Sequence, residues 1–318
     1  MTSRRTHNSR IISLIVLRRR LLVLAVAMVA LYIGIPQIGS FHDSLKLWKA
    51  VQWSWVLMAG GVFAASYFLA ASIYMALSLR PLRYGRTVLV QLAAMFAGRL
   101  LPAGVGALSV DYRYMRYAGH SQAEAGTIVA LNNALGVAAH ILLLVLLAVG
   151  GGFRHQDLNF TMPPYLLYGL LGAPILLAIG LLIEGVRNRI LRLVRQAFKV
   201  IHSYRRRPAH LATALTASGL LTTAYTLTLY GCAHALGLHV SVIGVFIGMT
   251  IGVVGATVTP TPGGIGGAEA GVVGGLIFAG LSAQASLTTA LLYRLITFWL
   301  PLVVGAVAFA IVRRHQYI

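Results

Sequence analysis

Six windows of apolar residues, each roughly 20 residues long and nearly free of charge, constrain what this chain can fold into more than any other feature. They fall near 21–41, 53–79, 122–149, 165–185, 211–236 and 285–312. A helix of that length covers a hydrocarbon core of roughly 30 Å. Backbone in lipid must also satisfy its own hydrogen bonds, which a helix does within one segment. Hydrophobic residues make up 58% of the 318 and charged ones 10%, a balance that excludes an ordinary soluble domain. The expected fold class is therefore all-α, a polytopic membrane protein.

Two further apolar pieces, near 88–110 and 242–281, are interrupted in the middle by proline and glycine. The second carries "TPTPGGIGGAEAGVVGG" from Thr259, with two prolines and seven glycines. Backbone freed from helical bonding is tolerated at membrane depth only where protein or a water-filled cavity satisfies it, so such a turn marks an interior site. Part of the glycine content has a packing explanation. Gly244, Gly248 and Gly252 on one arm, and Gly267, Gly271 and Gly275 on the other, recur every four residues, the ridge that lets two helices approach closely. Gly264 and Gly266 lie off that ridge. A proline and glycines just before an apolar helix form a plausible helix start, whose N–H groups and dipole attract an anion.

The formal charge of +20 would suggest nucleic acid in a soluble protein. Here the basic residues lie almost wholly between spans. With the N-terminus inside, the cytoplasmic side collects Arg4, Arg5, Arg10, Arg18 to Arg20, Arg80, Arg83, Arg86, Arg113, Arg116, eight basic residues from Arg187 to Arg207, Arg313 and Arg314. The outer side receives only Lys46, Lys49 and Arg154. This positive-inside asymmetry places both termini in the cytoplasm, and attraction to anionic head groups accounts for the charge without nucleic acid. "LLVLAVAMVALYIGIP" after the three arginines lacks a small-residue cleavage site and reads as a retained first span. The one cysteine, Cys232, makes no disulfide framework.

The chain also repeats itself. Pro102, Gly104 and Gly106 of "RLLPAGVGALSV" align with Pro262, Gly264 and Gly266, and Gly119 and Ser121 align with Gly280 and Ser282 at an offset larger by one. The flanking spans pair as 21–41 with 165–185, 53–79 with 211–236, and 122–149 with 285–312. Each half then holds three crossings and one broken segment, and an odd number of crossings inverts the second half, as in many transporters. After the first turn, Ala103 to Val110 supply about 12 Å of helix, too little to cross. Both broken segments are thus expected to be re-entrant hairpins, entering from opposite faces. The expected organisation is a basic cytoplasmic N-terminus at 1–20, a first membrane repeat at 21–150 and an outer loop at 151–164. A second, inverted repeat follows at 165–312, with a basic cytoplasmic loop at 186–210, and a cytoplasmic tail at 313–318.

Charge at depth is costly and points to function. Arg294 lies about nine residues inside the last span, with Asn133 as its repeat mate; Arg99 precedes the first turn and Glu269 follows the second. A Glu269 to Arg294 ion pair that holds hairpin to span is one reading. The other is that Arg99, Arg294 and the helix starts after Pro102 and Pro262 offer positive potential to a phosphate or another anion. Both hold if a ligand displaces the pair. The site residues expected on this basis are Arg99, Pro102, Gly104, Gly106, Asn133, Thr261, Pro262, Gly263, Gly264, Gly266, Glu269, Tyr293 and Arg294. Asp111, Arg113 and Arg116 are placed near the cytoplasmic interface. No Lys-Ser/Thr follows the turn, and Glu269 stands where a dinucleotide fingerprint needs its third glycine. His140 and His234 lack a second ligand at helical spacing, so no metal and no cofactor are expected. Neither a serine-nucleophile elbow nor paired loop carboxylates occur, leaving only His42 and Asp43 as an acid/base pair, so no enzyme is expected. The threonines of "LTTAYTLT" at 221–228 are expected to bond to their own helix or across to another.

With those residues in view, the chain resembles the lysylphosphatidylglycerol synthase/flippase transmembrane family, whose best-known members are the bacterial multiple peptide resistance factors. The resemblance covers nearly the whole chain. It is sharpest in "PTPGGIGGAEAGVVGGLIFAGLSAQASLTTALLYRLITFWLP", and weaker in "LLPAGVG" followed by "DYRYMRYAG". Many relatives carry an acidic residue soon after the first turn, where this chain has Ala107, so a symmetric carboxylate pair is not implied. The resemblance implies a lipid translocase of the bacterial cytoplasmic membrane that moves a lipid with a phosphate-bearing head through a polar groove between the repeats. Bifunctional relatives add an aminoacyl-transferase domain; this chain ends six residues beyond Val312, and the expectation is a membrane part without the synthase. Expected partners are anionic or zwitterionic membrane lipids, with a separately encoded lipid-modifying enzyme and a homodimer as further candidates. A secondary transporter of a small soluble anion shares the inverted repeat and the helix-end site. A membrane enzyme or accessory subunit acting on lipid-linked sugars is the third reading.

Overall fold

A computed structural model describes residues 51–101, 104–147, 149, 204, 207–259 and 261–318. Every described secondary-structure element is a helix: α1 (Trp53–Leu77), α2 (Tyr84–Leu100), α3 (Val105–Tyr117), α4 (Gln122–Leu147), α5 (Pro208–Ala235), α6 (Val242–Val258), α7 (Gly267–Phe278), α8 (Ala283–Arg294), a π-helical turn (Leu295–Trp299) and α9 (Leu300–Arg314). The expected spans near 21–41 and 165–185, Pro102, and most of the basic loop at 186–210 lie outside the described residues.

Among the described residues, three helical stretches are long and apolar enough to cross a membrane: α1, α4, and the continuous run Ala283–Arg314 of 32 residues. Their surfaces carry bare apolar side chains, such as Val137, Ile141 and Val145 on α4 and Val303, Val304 and Val307 on α9. Hydrocarbon is the solvent that leaves such a surface at low cost. α5 has the length, 28 residues, but is less apolar because threonine replaces aliphatic residues along it. The hydroxyls of Thr222, Thr223, Thr226 and Thr228 donate to the carbonyls of Ser218, Gly219, Thr222 and Ala224, each four residues back. That bond satisfies the donor inside the helix itself.

Both interrupted segments consist of two separate helices. α2 ends at Leu100 and α3 starts at Val105; α6 ends at Val258 and α7 starts at Gly267. At 17 residues, α2 and α6 rise about 25 Å, and α7 at 12 residues about 18 Å. All three are shorter than the hydrocarbon core. Two of the aligned glycine pairs share a backbone conformation, with φ +68° at Gly104 and +65° at Gly264, and +90° at Gly119 and +93° at Gly280, whereas Gly106 lies inside α3 and its counterpart Gly266 has φ +91°. The helix ends match too. At α3, His120 N–H donates to Met115 O and Gly119 N–H to Arg116 O; at α7, Leu281 N–H donates to Leu276 O and Gly280 N–H to Ile277 O. This is the glycine-terminated double bond that consumes the last free carbonyls of a helix. Ser121 and Ser282 then cap α4 and α8 by accepting the N–H of Glu124 and Ala285.

By density of contacts the chain divides into two compact units. The first holds the start of α1, the tip 98–104, the end of α5, and residues 229–299, which include α6, α7, α8 and the π turn. Its centre is the α6–α7 hairpin. A Cβ at Gly244 would stand 2.6 Å from Ala279, one at Gly252 2.5 Å from Val272, and one at Gly271 2.5 Å from the Ile251 carbonyl. The order of partners runs in reverse, so the arms are antiparallel, and the ridge glycines are where they touch. The second unit holds the rest of α1, α2 and α5 with all of α3, α4 and α9. Ile73, Leu77, Val90, Tyr114, Met115, Ile128 and Val312 form its apolar core.

Candidate functional site

The first unit brings Arg99, Glu269, Arg294 and the turn 261–266 together. Arg294 ends α8, and the helix continues through five π-helical residues. Such widened turns are rare in helices and concentrate at functional sites. One local cause is Pro301: it has no N–H to give the Thr297 carbonyl four residues back. Arg99 donates from Nη2 to that carbonyl.

Arg294 is committed three ways. Its Nε donates to Glu269 Oε1 at 2.5 Å, its Nη2 donates to the Gly263 carbonyl at 3.3 Å, and its guanidinium lies 4.3 Å from the centre of the Phe298 ring. The guanidinium of Arg99 lies 5.1 Å from the centre of that ring. Two cations thus share the π surface of one phenylalanine, while the Glu269 carboxylate joins Arg294 to the turn at Gly266. Both partners of the ion pair are largely withdrawn from solvent, with side-chain exposures of 12% for Arg294 and 18% for Glu269. The Glu269–Arg294 pair is largely withdrawn from water, and low polarisability there strengthens the attraction of a guanidinium to an anion.

Glu269 has a second task. Its Oε2 accepts the N–H of Gly266 at 2.7 Å, three residues earlier, closing the first turn of α7. Other N–H groups expected to await an anion after Pro262 are also used: Gly264 N–H donates to Thr261 O at 3.1 Å, and Ile265 N–H to Pro262 O at 3.4 Å. The N-terminus of α7 is occupied by the protein's own carboxylate. Glycine is required at the turn by space as well as by φ: a Cβ at Gly263 would stand 2.9 Å from Phe298 Cζ, and one at Gly264 2.7 Å from Ala256 Cβ. Thr261 donates its hydroxyl to Ile265 O at 2.8 Å, tightening the same turn. Tyr293 is half-buried, and its carbonyl accepts the Thr297 hydroxyl at 2.8 Å.

Of the remaining expected site residues, Gly104 belongs to the first unit, whereas Gly106 and Asn133 belong to the second. Asn133 turns its amide onto its own helix, donating to Val129 O at 2.9 Å. Its neighbour Asn132 reaches outward instead, to the Tyr74 hydroxyl at 3.2 Å. Asp111, expected near the cytoplasmic interface, is buried within the second unit against Tyr74 and Gln91. Sequence reasoning missed Phe298; four residues after Arg294 in a helix, its position was the available signal. His234 donates from Nδ1 to the Leu238 carbonyl and packs against Trp55 and Tyr230. Among the described residues no three His, Cys, Asp or Glu side chains gather as metal ligands would.

The arrangement can hold an oxyanion by charge and by ring-backed guanidinium donors, and it contains its own competitor. Interrupted apolar helices, a proline-glycine turn at a buried arginine and a glutamate on the first turn of the following helix form one recognisable set. No curated protein matches the chain. A family model described as the lysylphosphatidylglycerol synthase TM region matches residues 13–305, and the chain belongs to that family of integral membrane proteins, whose function is lipid-related.

Proposed function

We propose that the protein is a lipid translocase that moves a phospholipid, or another lipid with a phosphate-bearing head, between leaflets, without catalysing a covalent step. The observation that carries this reading is the cluster of Arg99 and Arg294 on Phe298, closed by Glu269. Moving a bare phosphate through hydrocarbon costs several kcal/mol or more. A pathway that offers guanidinium groups at depth lowers that cost while the acyl chains stay in lipid. The Glu269 carboxylate holds the place that a phosphate takes: it neutralises Arg294 while no head group is present, and it yields when one arrives. The setting for this activity is the bacterial cytoplasmic membrane, with both termini in the cytoplasm. Its partners are anionic or zwitterionic lipids, and a separately encoded lipid-modifying enzyme and a second copy of the chain are further candidates.

Proteoliposomes with fluorescent phospholipids test the reading. The expected result is exchange faster than in empty liposomes, slowed at least about tenfold by Arg294→Ala, a loss of about 1.4 kcal/mol or more in transition-state solvation. Arg99→Ala slows exchange less, since Arg99 reaches the ring from farther away. If no lipid of any head group moves faster than in empty vesicles, the reading is wrong. If soluble phosphate enters such vesicles instead, the small-anion transporter replaces it.

A further inference from the structure

Three acidic residues fall among the described ones, and two have evident structural work. Glu124 caps α4 through Ser121, and Glu269 caps α7 and pairs with Arg294. Asp111 does neither. It sits mid-way along α3 in the second unit, 6% exposed, and its two oxygens each accept one neutral donor: Tyr74 Oη of α1 at 2.8 Å on Oδ2, and Gln91 Nε2 of α2 at 2.9 Å on Oδ1. Asn132 of α4 in turn donates to the Tyr74 hydroxyl at 3.2 Å, which directs the phenolic hydrogen toward Asp111. Among the described residues Tyr74 is the titratable group facing Asp111, and no cation pairs with it. Two arginines of the same unit are engaged elsewhere: Arg116 donates to the His120 carbonyl, and Arg86 lies over the Tyr317 ring.

An ionised carboxylate buried without a cation is held only by its hydrogen bonds, and desolvation favours the neutral acid. This network accepts either form. When Asp111 is ionised, both neighbours donate to it. When a proton from water binds Oδ1, an O–H bond forms there and needs an acceptor, which Gln91 supplies by turning its amide half a turn to present Oε1. A neutral amide next to a buried carboxyl is thus a two-way partner, which an arginine would not be. We infer that Asp111 is a reversible proton-binding site, and that its protonation sets the rate of lipid exchange. The second clause rests on the translocase reading; the first stands without it.

Infrared difference spectra of the purified protein in lipid discs, taken between about pH 8 and about pH 5, test the first clause. The expected result is a protonated-carboxyl C=O band that grows as pH falls, vanishes in Asp111→Asn and persists in Glu269→Gln. Asn preserves the fold because its amide offers one acceptor to Tyr74 and one donor to the turned Gln91. Tyr74→Phe removes a donor from the ionised form and moves the titration to higher pH. A band that survives Asp111→Asn, or no band in the wild type, overturns the proton site. For the second clause, wild-type exchange changes at least about threefold over the same pH range and Asp111→Asn loses that dependence. Identical pH profiles in the two proteins overturn the coupling while leaving the site. A wild type that moves no lipid at any pH removes the coupling along with the translocase reading, and the spectra still decide the site.

Discussion

Arg294 differs from the arginines of the loops in having protein in place of water to solvate it. Removing it by Arg294→Ala leaves Glu269 as a largely buried charge without a partner, and a loss of about 3 kcal/mol in unfolding free energy is expected in detergent denaturation. Glu269→Gln should cost a similar amount, because the amide oxygen still accepts the Gly266 N–H but the amide NH2 then meets the Arg294 Nε–H and leaves that cation without its carboxylate. The two variants should part in function: under the proposed mechanism, loss of the competing carboxylate tightens retention of a phosphate lipid, read as more lipid co-purified per protein. His120 gives a second test, from a residue that joins α3 to α4 outside the spanning helices. Leu79 N–H donates to its Nε2 at 3.2 Å, so that nitrogen is the acceptor and Nδ1–H donates to Met115 O at 3.1 Å. Burial pushes its pKa below 6.5, with the Met115 carbonyl and Glu124 opposing and Arg80 adding to the effect. The unfolded chain therefore takes up a proton before the folded one does. The contribution is complete above pH 6.5 and is lost as pH falls below it. The melting temperature should drop from about pH 7.5 to about pH 5.5, and His120→Leu, less stable at the higher pH, should show a smaller drop. The pairing of Glu269 with Arg294 was legible in the sequence because charge at depth must find charge. Phe298 had only its spacing of four from Arg294 to mark it, a spacing that most apolar residues of a helix share with some neighbour without backing a cation. Asn132 and Asn133 were separable only by helical register, which turns neighbours about 100° apart.

At the scale of elements, the hairpin α6–α7 was the most legible feature, since glycine at every fourth position leaves little to decide beyond which face meets which. The structure adds where backbone touches backbone. A Cβ at Gly271 would stand 2.5 Å from Ile251 O and 2.8 Å from Gly252 Cα, whereas one at Gly274 has nothing within 4 Å. Gly271→Leu should therefore force the arms apart, costing about 3 kcal/mol or more. Gly274→Ala should cost nothing and gain about 0.5–1 kcal/mol from helix propensity. Thermal unfolding of the two variants beside wild type checks the pair; equal shifts would contradict the contact geometry. The turn itself was half legible. Proline and glycine announce a break, but the fate of the freed N–H groups depends on Glu269 returning to Gly266, a spacing of three whose capping role shows only once α7 has a start. The π turn at Leu295–Trp299 had Pro301 as a signal, and its partner Arg99 lies 198 residues away in sequence, beyond local reasoning.

For the molecule as a whole, composition and periodicity sufficed to place a helical protein in a membrane, since no other solvent tolerates α4 and α9 as they are. Burial is harder to read: the contacts of Asp111 with Tyr74 and Gln91 depend on the approach of α1 and α2, which no local pattern encodes. Topology is likewise a balance of loop charges, and the chain's one cysteine makes it measurable. Cys232 is buried in α5; with Cys232→Ala as background, single cysteines report the side each loop occupies to a maleimide that cannot cross lipid. Gln316→Cys, in the tail, should be labelled only from the cytoplasmic side, and Leu238→Cys and Gln284→Cys, flanking the hairpin, only from outside. Those three positions fix parity but leave the hairpin itself open, since two short crossings return the chain to the same face. Ile265→Cys decides. The arms rise about 25 Å and about 18 Å, less than the core they would have to cross. A tip that stops within the protein is reached from neither bulk phase, and Ile265→Cys should stay unlabelled from the cytoplasmic side. Labelling there as fast as at Gln316 would mean that the turn emerges into the cytoplasm, and the guanidinium cluster beside it would then face water in place of a lipid head.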